Sequence, residues 1–284
     1  MEIRLIAKPN NVYAEFYLNG IETHILNALR RAILTEVPTL AIHDVIVHVN
    51  TSVLYDEELA LRLALIPLKA DPSEIDVLKK CRDIEKMRLD ELVQCTARLR
   101  LSKKNEGDDE IITVFSSDIE PVDKKMVRPV FDNIPIVKLG PGQEIDIEMI
   151  ARVGKGKDHA KWMPVSTLGY KPIPKIRIND PSLCEECYEC TRACPKAVLK
   201  KKDDTPTLEG LGVYLCDLDR ICVRACPHEN LILEPSETEF IFRIESIGQH
   251  EIPDIIMSAI DILEAKCDDF LSILKESIRK FKME

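Results

Sequence analysis

"CEECYECTRACP", Cys184 to Pro195, sets four cysteines and a proline within twelve residues. The spacing C-x2-C-x2-C-x3-C-P groups three thiols closely and holds the fourth apart. That arrangement suits iron–sulfur ligation in which three thiolates grip one cluster while the fourth reaches a different one. A second half must then lie downstream, and "CDLDRICVRACP" supplies it, with Cys216, Cys222, Cys226 and Pro227 in the same frame. The frame has one exception: Asp219 stands where the second cysteine of the repeat would be.

Crossing the halves as the bacterial-type ferredoxin pattern does, Cys184, Cys187, Cys190 and Cys226 form a complete thiolate set, expected to hold a 4Fe-4S cluster. The second set is Cys194, Cys216, Asp219 and Cys222. A carboxylate is a harder ligand than a thiolate, so this corner is expected to be labile. The expectation is a 3Fe-4S cluster or a 4Fe-4S cluster with Asp219 as its oxygen ligand. Structural zinc and disulfides are the alternatives. Zinc sites come as two C-x2-C pairs more often than as triplets ending in C-P, and disulfides do not suit a reducing compartment.

A chain of 284 residues has room for about two domains. Its composition, 45% hydrophobic and 31% charged, is that of a globular protein. "MEIRLIAKPNN" lacks the apolar core of a secretory signal, and no apolar run reaches the roughly 20 residues of a membrane span. A cytoplasmic protein without a membrane role is expected. Of ten cysteines, seven fall in the segment described above. The net charge of −10 opposes a broad basic surface, so no direct sequence-specific DNA contact is expected.

The chain opens as a hairpin, "EIRLIA" and "VYAEFYLN", with Val12, Ala14, Phe16 and Leu18 on one face. "THILNALRRAILTEVP" reads as a helix that Thr23 can cap, with Ile25, Ala28, Leu29, Ala32 and Ile33 as its apolar stripe and Val37-Pro38 as its stop. A strand-like Ile/Val run follows, then a short helix with Asp56, Glu57 and Arg62 that ends at Pro67. Cys81 and Cys95 read as buried thiols. "IPIVKLGPGQEIDIEMIARVGKG" reads as two strands around a Gly-Pro-Gly turn, with Ile145, Ile147 and Met149 on one face. "GKGKDHAKWMPVS" has glycines and lysines but not the order of a phosphate-binding loop, and its His159 reads as a hydrogen-bonded structural residue. Strand-like sequence enters and leaves the cysteine segment, which therefore looks like an insert. After the strand "FIFRIESIG", residues 253–281 place Ile256, Ile260, Leu263, Cys267, Phe270, Leu274, Ile278 and Phe281 at steps of three and four. The helix this predicts presents an apolar seam of roughly 40 Å. Such a seam can pack on the chain's own sheet, but heptad-like seams more often seek a partner helix.

"NALRRAI" (27–33) with "VPTLAIHDV", "DEELALRLALIPL" (56–68), "GKGKDHAKWMPV" (154–165) and a strand-plus-long-helix ending together resemble the archaeal Rpo3 family of DNA-directed RNA polymerase subunits. That family is the counterpart of the eukaryotic third-largest subunit and of the N-terminal domain of bacterial alpha. The resemblance implies an α+β fold: an alpha-subunit-like dimerization domain from 1–42 and 232–284, an inserted mixed α/β domain over 43–172, and a ferredoxin-like iron-sulfur domain over 173–231. It implies a non-catalytic role, with the catalytic residues of DNA-directed RNA polymerase in other subunits. The partners it implies are subunit L in a heterodimer, subunits N and P, and the two large catalytic subunits. Asn27, Leu29, Arg30 and Arg31 match the family's partner-facing helix, although charge alone would make "RR" a solvated face. Ile256, Ile260, Leu263, Phe270 and Leu274 would face subunit L. Where relatives often have His this chain has Leu61. It also lacks the second-domain cysteine cluster of some relatives, so no zinc is expected there.

The second reading is a ferredoxin-type electron-transfer subunit of a redox enzyme. It accounts for the cysteines and leaves the hairpin, first helix and terminal seam without a purpose. The first reading makes the iron–sulfur domain structural or redox-regulatory.

Overall fold

The computed structural model describes residues 1–70, 96–122, 127–184 and 187–283. Cys81 and Cys95 lie outside the described residues.

In chain order the elements are strands β1 (Glu2–Ala7) and β2 (Tyr13–Asn19), helix α1 (Thr23–Thr35), β3 (Pro38–Asn50), helix α2 (Asp56–Ala64), β4 (Leu68–Lys69), β5 (Thr96–Lys104), β6 (Ile112–Phe115), β7 (Ile119–Pro121), β8 (Arg128–Pro129), β9 (Pro135–Leu139), β10 (Glu144–Lys155) and β11 (Val165–Ile178). The cysteine segment follows with helix α3 (Glu189–Ala193), the short pair β12 (Lys200–Lys202) and β13 (Thr205–Thr207), and helices α4 (Leu211–Leu215) and α5 (Ile221–Arg224). Strand β14 (Leu231–Ser246) and helix α6 (Ile252–Met283) complete the α+β fold. Two compact units emerge: Met1–Pro9, Ala14–Asn27 and Leu168–Ile244 form one, and Asn10–Tyr13, Ala28–Thr167 and Glu245–Glu284 the other.

The core of the second unit follows from period-two alternation. On β10, Ile145, Ile147, Met149 and Ala151 are fully buried, and Asp146 and Glu148 point the other way. β10 lies in the sheet β3-β10-β5-β7, where Ile147 faces Leu101, Met149 faces Leu99 and Ala151 faces Ala97 across the antiparallel ladder with β5. The strands before and after the Gly-Pro-Gly turn do not pair with each other, because β9 pairs with β6. Helix α2 adds Leu59 and Leu63, one turn apart, to the same core. Three acidic residues in its first turn, Asp56, Glu57 and Glu58, oppose the positive end of the helix dipole.

"VGKGKDHAKW" gains its meaning from packing in this unit. A Cβ on Gly154 would lie 2.4 Å from the Trp162 ring, and one on Gly156 would lie 2.0 Å from the Leu34 carbonyl, so neither position tolerates a side chain. Trp162 is fixed by its Nε1–H donating to the Arg152 carbonyl at 3.1 Å and by stacking with His43 at 5.4 Å. His159 has a structural role, its Nδ1 accepting from the Lys161 N–H at 3.1 Å.

The first unit holds the sheet β1-β2-β14-β11. Tyr17, Ile173 and Ile241 pack at its centre, and the Tyr17 hydroxyl donates to Glu239 at 2.8 Å.

Two local expectations, both about α1, are corrected. Thr23 is the first residue inside α1 rather than its cap, since the Leu26 N–H is already bonded to the Glu22 carbonyl at 3.1 Å. The buried residues of α1 are Leu26, Ala32 and Ile33, with Ile25 50% exposed and Ala28 exposed. Leu26 and Ile33 have helical spacing just as Ile25 and Leu29 do, and only tertiary neighbours decide between two adjacent stripes. On α6 the buried residues are Ile252, Ile255 and Ala259, none of which belongs to the expected seam.

Candidate cluster site and partner surface

The cysteine segment has a small core: Cys190, Leu199, Cys222, Leu231 and Leu233 are its buried cluster. Two of those five are cysteines, so little apolar area remains to hold the segment folded.

The four cysteines of the first set share one neighbourhood. Cys184 ends a 3-10 turn, Cys190 lies on α3, and both are buried; Cys187 and Cys226 are half-buried. Burial, and after it the charges of Cys226, Cys187 and Cys184, pushes the Cys190 thiol up to about 11. The crowding opposes thiolate formation unless positive charge sits among the sulfurs.

Sequence reasoning missed Asn230, which binds this set from beneath. It is 3% exposed. Its backbone N–H donates to Cys226 Sγ at 3.4 Å and its side-chain amide to Cys184 Sγ at 3.4 Å. Its side chain also donates to the Asp180 carbonyl at 2.6 Å and accepts from the Asp180 N–H at 2.7 Å. Only Cys226 is near in sequence; the side-chain partners Cys184 and Asp180 lie far upstream, so no local pattern marks the residue.

The second set also converges. Cys194, Cys216, Asp219 and Cys222 line one cavity, together with Pro195, Lys196 and Asp217. Burial, and after it Cys216, raises the Cys222 thiol, with smaller contributions in the same direction from Cys194 and Asp219. Lys171 fastens the loop beneath, donating to the Tyr214 carbonyl at 2.5 Å and the Cys216 carbonyl at 3.0 Å. Asp219 is exposed, and its Oδ1 accepts from the Ile221 N–H at 3.0 Å. Among the described residues, no three His, Cys, Asp or Glu side chains are grouped as a site for a metal ion.

The expected partner residues fall on α1 and α6. Asn27, Leu29 and Arg30 are half-buried and Arg31 is exposed. On α6, Ile256, Ile260 and Leu263 are half-buried, while Phe270 is 64% and Leu274 42% exposed. Leu271, Ile273, Ile278 and Phe281 are exposed too. At about 100° per residue, the buried residues Ile252, Ile255 and Ala259 form one stripe and the expected seam forms the stripe beside it. The first is consumed in the chain's own core and the second remains open. Lys266 on α6 donates to Glu36, just beyond α1, at 2.9 Å. Lys155 and Lys157 lie 3.3 and 3.8 Å from the same carboxylate. Burial raises the Glu36 pKa, but hydrogen bonds from Lys266 and Lys155 outweigh it and hold the group below its ordinary value.

Among the described residues no helix is long and apolar enough to cross a membrane. The family model described as the RNA polymerase Rpb3/RpoA insert domain matches residues 47–168. The DNA-directed RNA polymerase subunit Rpo3 of Methanosarcina acetivorans is 34% identical over 263 residues, covering 93% of this chain and 94% of its own. That of Methanothermobacter thermautotrophicus is 36% identical over 276 residues, covering 96% and 98%. In Dictyostelium discoideum, the rpac1 subunit of DNA-directed RNA polymerases I and III is 34% identical over 282 residues, covering 93% of this chain and 78% of its own. Similarity of this extent over nearly the whole length places the chain in the Rpo3 family of DNA-directed RNA polymerase subunits.

Proposed function

We propose that the chain is a non-catalytic assembly subunit of its polymerase. It pairs with subunit L along the open stripe of α6, and with subunits N and P it offers a platform to the two large catalytic subunits. The observation that carries this reading is the open stripe, on a chain whose relatives are polymerase subunits along almost their entire length. The dimerization domain is assigned to 1–42 and 232–284, the second domain to 43–172 and the ferredoxin-like domain to 173–231. The site of action is the cytoplasm, with the polymerase. The electron-transfer reading finds no support among the relatives named above, which are polymerase subunits.

Within the ferredoxin-like domain, Cys184, Cys187, Cys190 and Cys226 would hold a 4Fe-4S cluster. Cys194, Cys216 and Cys222, with Asp219, would hold a 3Fe-4S or a 4Fe-4S cluster. Such a group supplies ligation energy and positive charge to a segment whose own apolar core is small. The residues fit it: crowded thiols, sulfurs of Cys184 and Cys226 that accept N–H donors from Asn230, and a loop fastened by Lys171. The domain's role is structural or redox-regulatory, with oxidation loosening the domain and lowering the yield of complete polymerase.

The test is anaerobic affinity purification of the tagged chain from its own cells. A stoichiometric partner of about 10 kDa, two subunits above roughly 40 kDa and RNA synthesis activity are expected. Flavin- or nickel-containing partners without such subunits would overturn the assignment. Iron and sulfide content with electron paramagnetic resonance tests the clusters, and an iron count fitting one cluster only would remove the second.

A further inference from the structure

Asn230 sits at the neck of the cysteine segment, where strand β11 (Val165–Ile178) leads in and strand β14 (Leu231–Ser246) leads out. The two strands are neighbours in one sheet, and Ile178 and Leu231 pack in the segment's own apolar cluster. Every polar group of this residue, 3% exposed, is used. Its backbone carbonyl accepts from the Asn179 N–H at 3.2 Å, and its Oδ1 accepts from the Asp180 N–H at 2.7 Å. Its amide nitrogen, with two hydrogens, donates to the Asp180 carbonyl at 2.6 Å and to Cys184 Sγ at 3.4 Å. Its backbone N–H goes to Cys226 Sγ at 3.4 Å. A backbone N–H can only donate, so the bond from Asp180 fixes which end of the amide carries the oxygen and leaves the nitrogen facing sulfur. The two sulfurs come from opposite halves of the repeat. One residue therefore joins both halves of the first set to both strands of the neck. The second site is fastened differently, with Lys171 holding the backbone carbonyls of Tyr214 and Cys216.

We propose that Asn230 is a positioning residue of the first site, one that latches the neck of the domain while Cys184 and Cys226 are held together as ligands. A metal-bound thiolate is a stronger acceptor than a free thiol, so ligation strengthens both N–H···S bonds and with them the grip on Asn179 and Asp180. When the first site empties, the two sulfurs are free to part and Asn230 loses two of its partners. The neck then opens. The state of the first site is in this way passed to β11 and β14, and the state of the second is not. The same two bonds favour the more negatively charged state of a ligated cluster, so Asn230 also raises its reduction potential. This inference rests on the cluster assignment made above.

The experiment uses the full-length chain, purified anaerobically as wild type, Cys187→Ser, Cys216→Ser, Asn230→Leu and Cys187→Ser with Asn230→Leu. Cys187→Ser empties the first site yet keeps both sulfurs that Asn230 touches, and Cys216→Ser empties the second. Iron counts and electron paramagnetic resonance identify the filled site, and hydrogen exchange of the peptide spanning 176–184 reads the neck. Cys187→Ser should speed that exchange about tenfold, the factor for losing roughly one hydrogen bond, and Cys216→Ser less than twofold. Asn230→Leu, similar in size and without donors, should exchange fast with the first site filled, and adding Cys187→Ser should then change it less than twofold. Redox titration should find the first cluster of Asn230→Leu about fivefold harder to reduce, or about 40 mV at 59 mV per tenfold for one electron, with the second unmoved. A neck that ignores Cys187→Ser, or answers equally to Cys216→Ser, overturns the inference and leaves the cluster assignment standing. So does a first-site potential that Asn230→Leu does not shift, or a double variant about tenfold faster than Asn230→Leu. If Asn230→Leu does not load the first site, the two cysteine variants decide by themselves. Wild-type protein that carries no iron when freshly purified overturns the assignment and the inference together.

Discussion

Replacing Phe270 by alanine separates the open stripe of α6 from its buried neighbour. Phe270 is 64% exposed, and a phenylalanine side chain offers about 200 Å² for burial. Roughly 130 Å² therefore awaits cover, worth about 3 kcal/mol at ~25 cal/mol/Å². Alanine keeps its Cβ, so the expected loss is about 100-fold in Kd for the small partner subunit. The lone chain should hardly notice, since an exposed ring contributes little to its own core. Ile255, fully buried one stripe away, should behave in the opposite sense. Ile255→Ala removes buried methyl groups and should cost the lone chain about 2–4 kcal/mol. The assay pairs thermal denaturation of each variant alone with calorimetric titration against purified partner. If Phe270→Ala lowers the stability of the lone chain as much as Ile255→Ala does, or leaves Kd within twofold of wild type, the division of α6 into an inner and an outer stripe is wrong.

Cys184→Ser with Cys187→Ser should abolish the first set's iron and open residues 173–231 to protease while leaving the heterodimer intact, as iron analysis, limited proteolysis and size-exclusion chromatography would read; loss of the dimer would contradict the separation of seam and insert. Gly154→Ala should drive a methyl into the Trp162 ring, which already stands 2.4 Å from that point; Trp162 is the chain's one tryptophan, so a shifted emission maximum and a loss of about 3 kcal/mol or more in urea denaturation are expected. Glu36 has its folded pKa held below the ordinary 4.5. Its stabilising contribution is therefore complete above pH 4.5 and lost as pH falls through the lower folded value. The stability difference between wild type and Glu36→Gln should shrink over that acid window, and a difference constant from pH 7 to 3 would show that the three lysines do not set it.

The cysteine frame was legible because ligation fixes residue type and spacing together. The crossing of Cys226 to the first set and of Cys194 to the second is read from the repeat alone; the structure brings Cys226, Cys187, Cys184 and also Cys222 near Cys190, and Cys216, Cys194 and Asp219 near Cys222. Strand β10 was legible because a half-buried strand must alternate. The stripes on α1 and α6 were only half legible: each helix carries two adjacent apolar stripes, and periodicity gives no reason to prefer one. Asn230 was not legible at all, since its side-chain bonds join positions far apart in sequence. Asp219 was read as a ligand from its place in the repeat, while its bond to the Ile221 N–H depends on left-handed turns that the sequence does not advertise.

The open stripe has a consequence for the cell as well as for the complex. A lone copy of this chain exposes Met257, Phe270, Leu271, Ile273, Leu274, Ile278 and Phe281 along one helix, the kind of apolar surface that marks an interaction site and, left uncovered, is an aggregation liability. Copies made in excess of their partner would be cleared rather than stored. If the proposed heterodimer forms, the abundance of finished enzyme is set by whichever of the two chains is scarcer, and synthesis of both has to be kept in step.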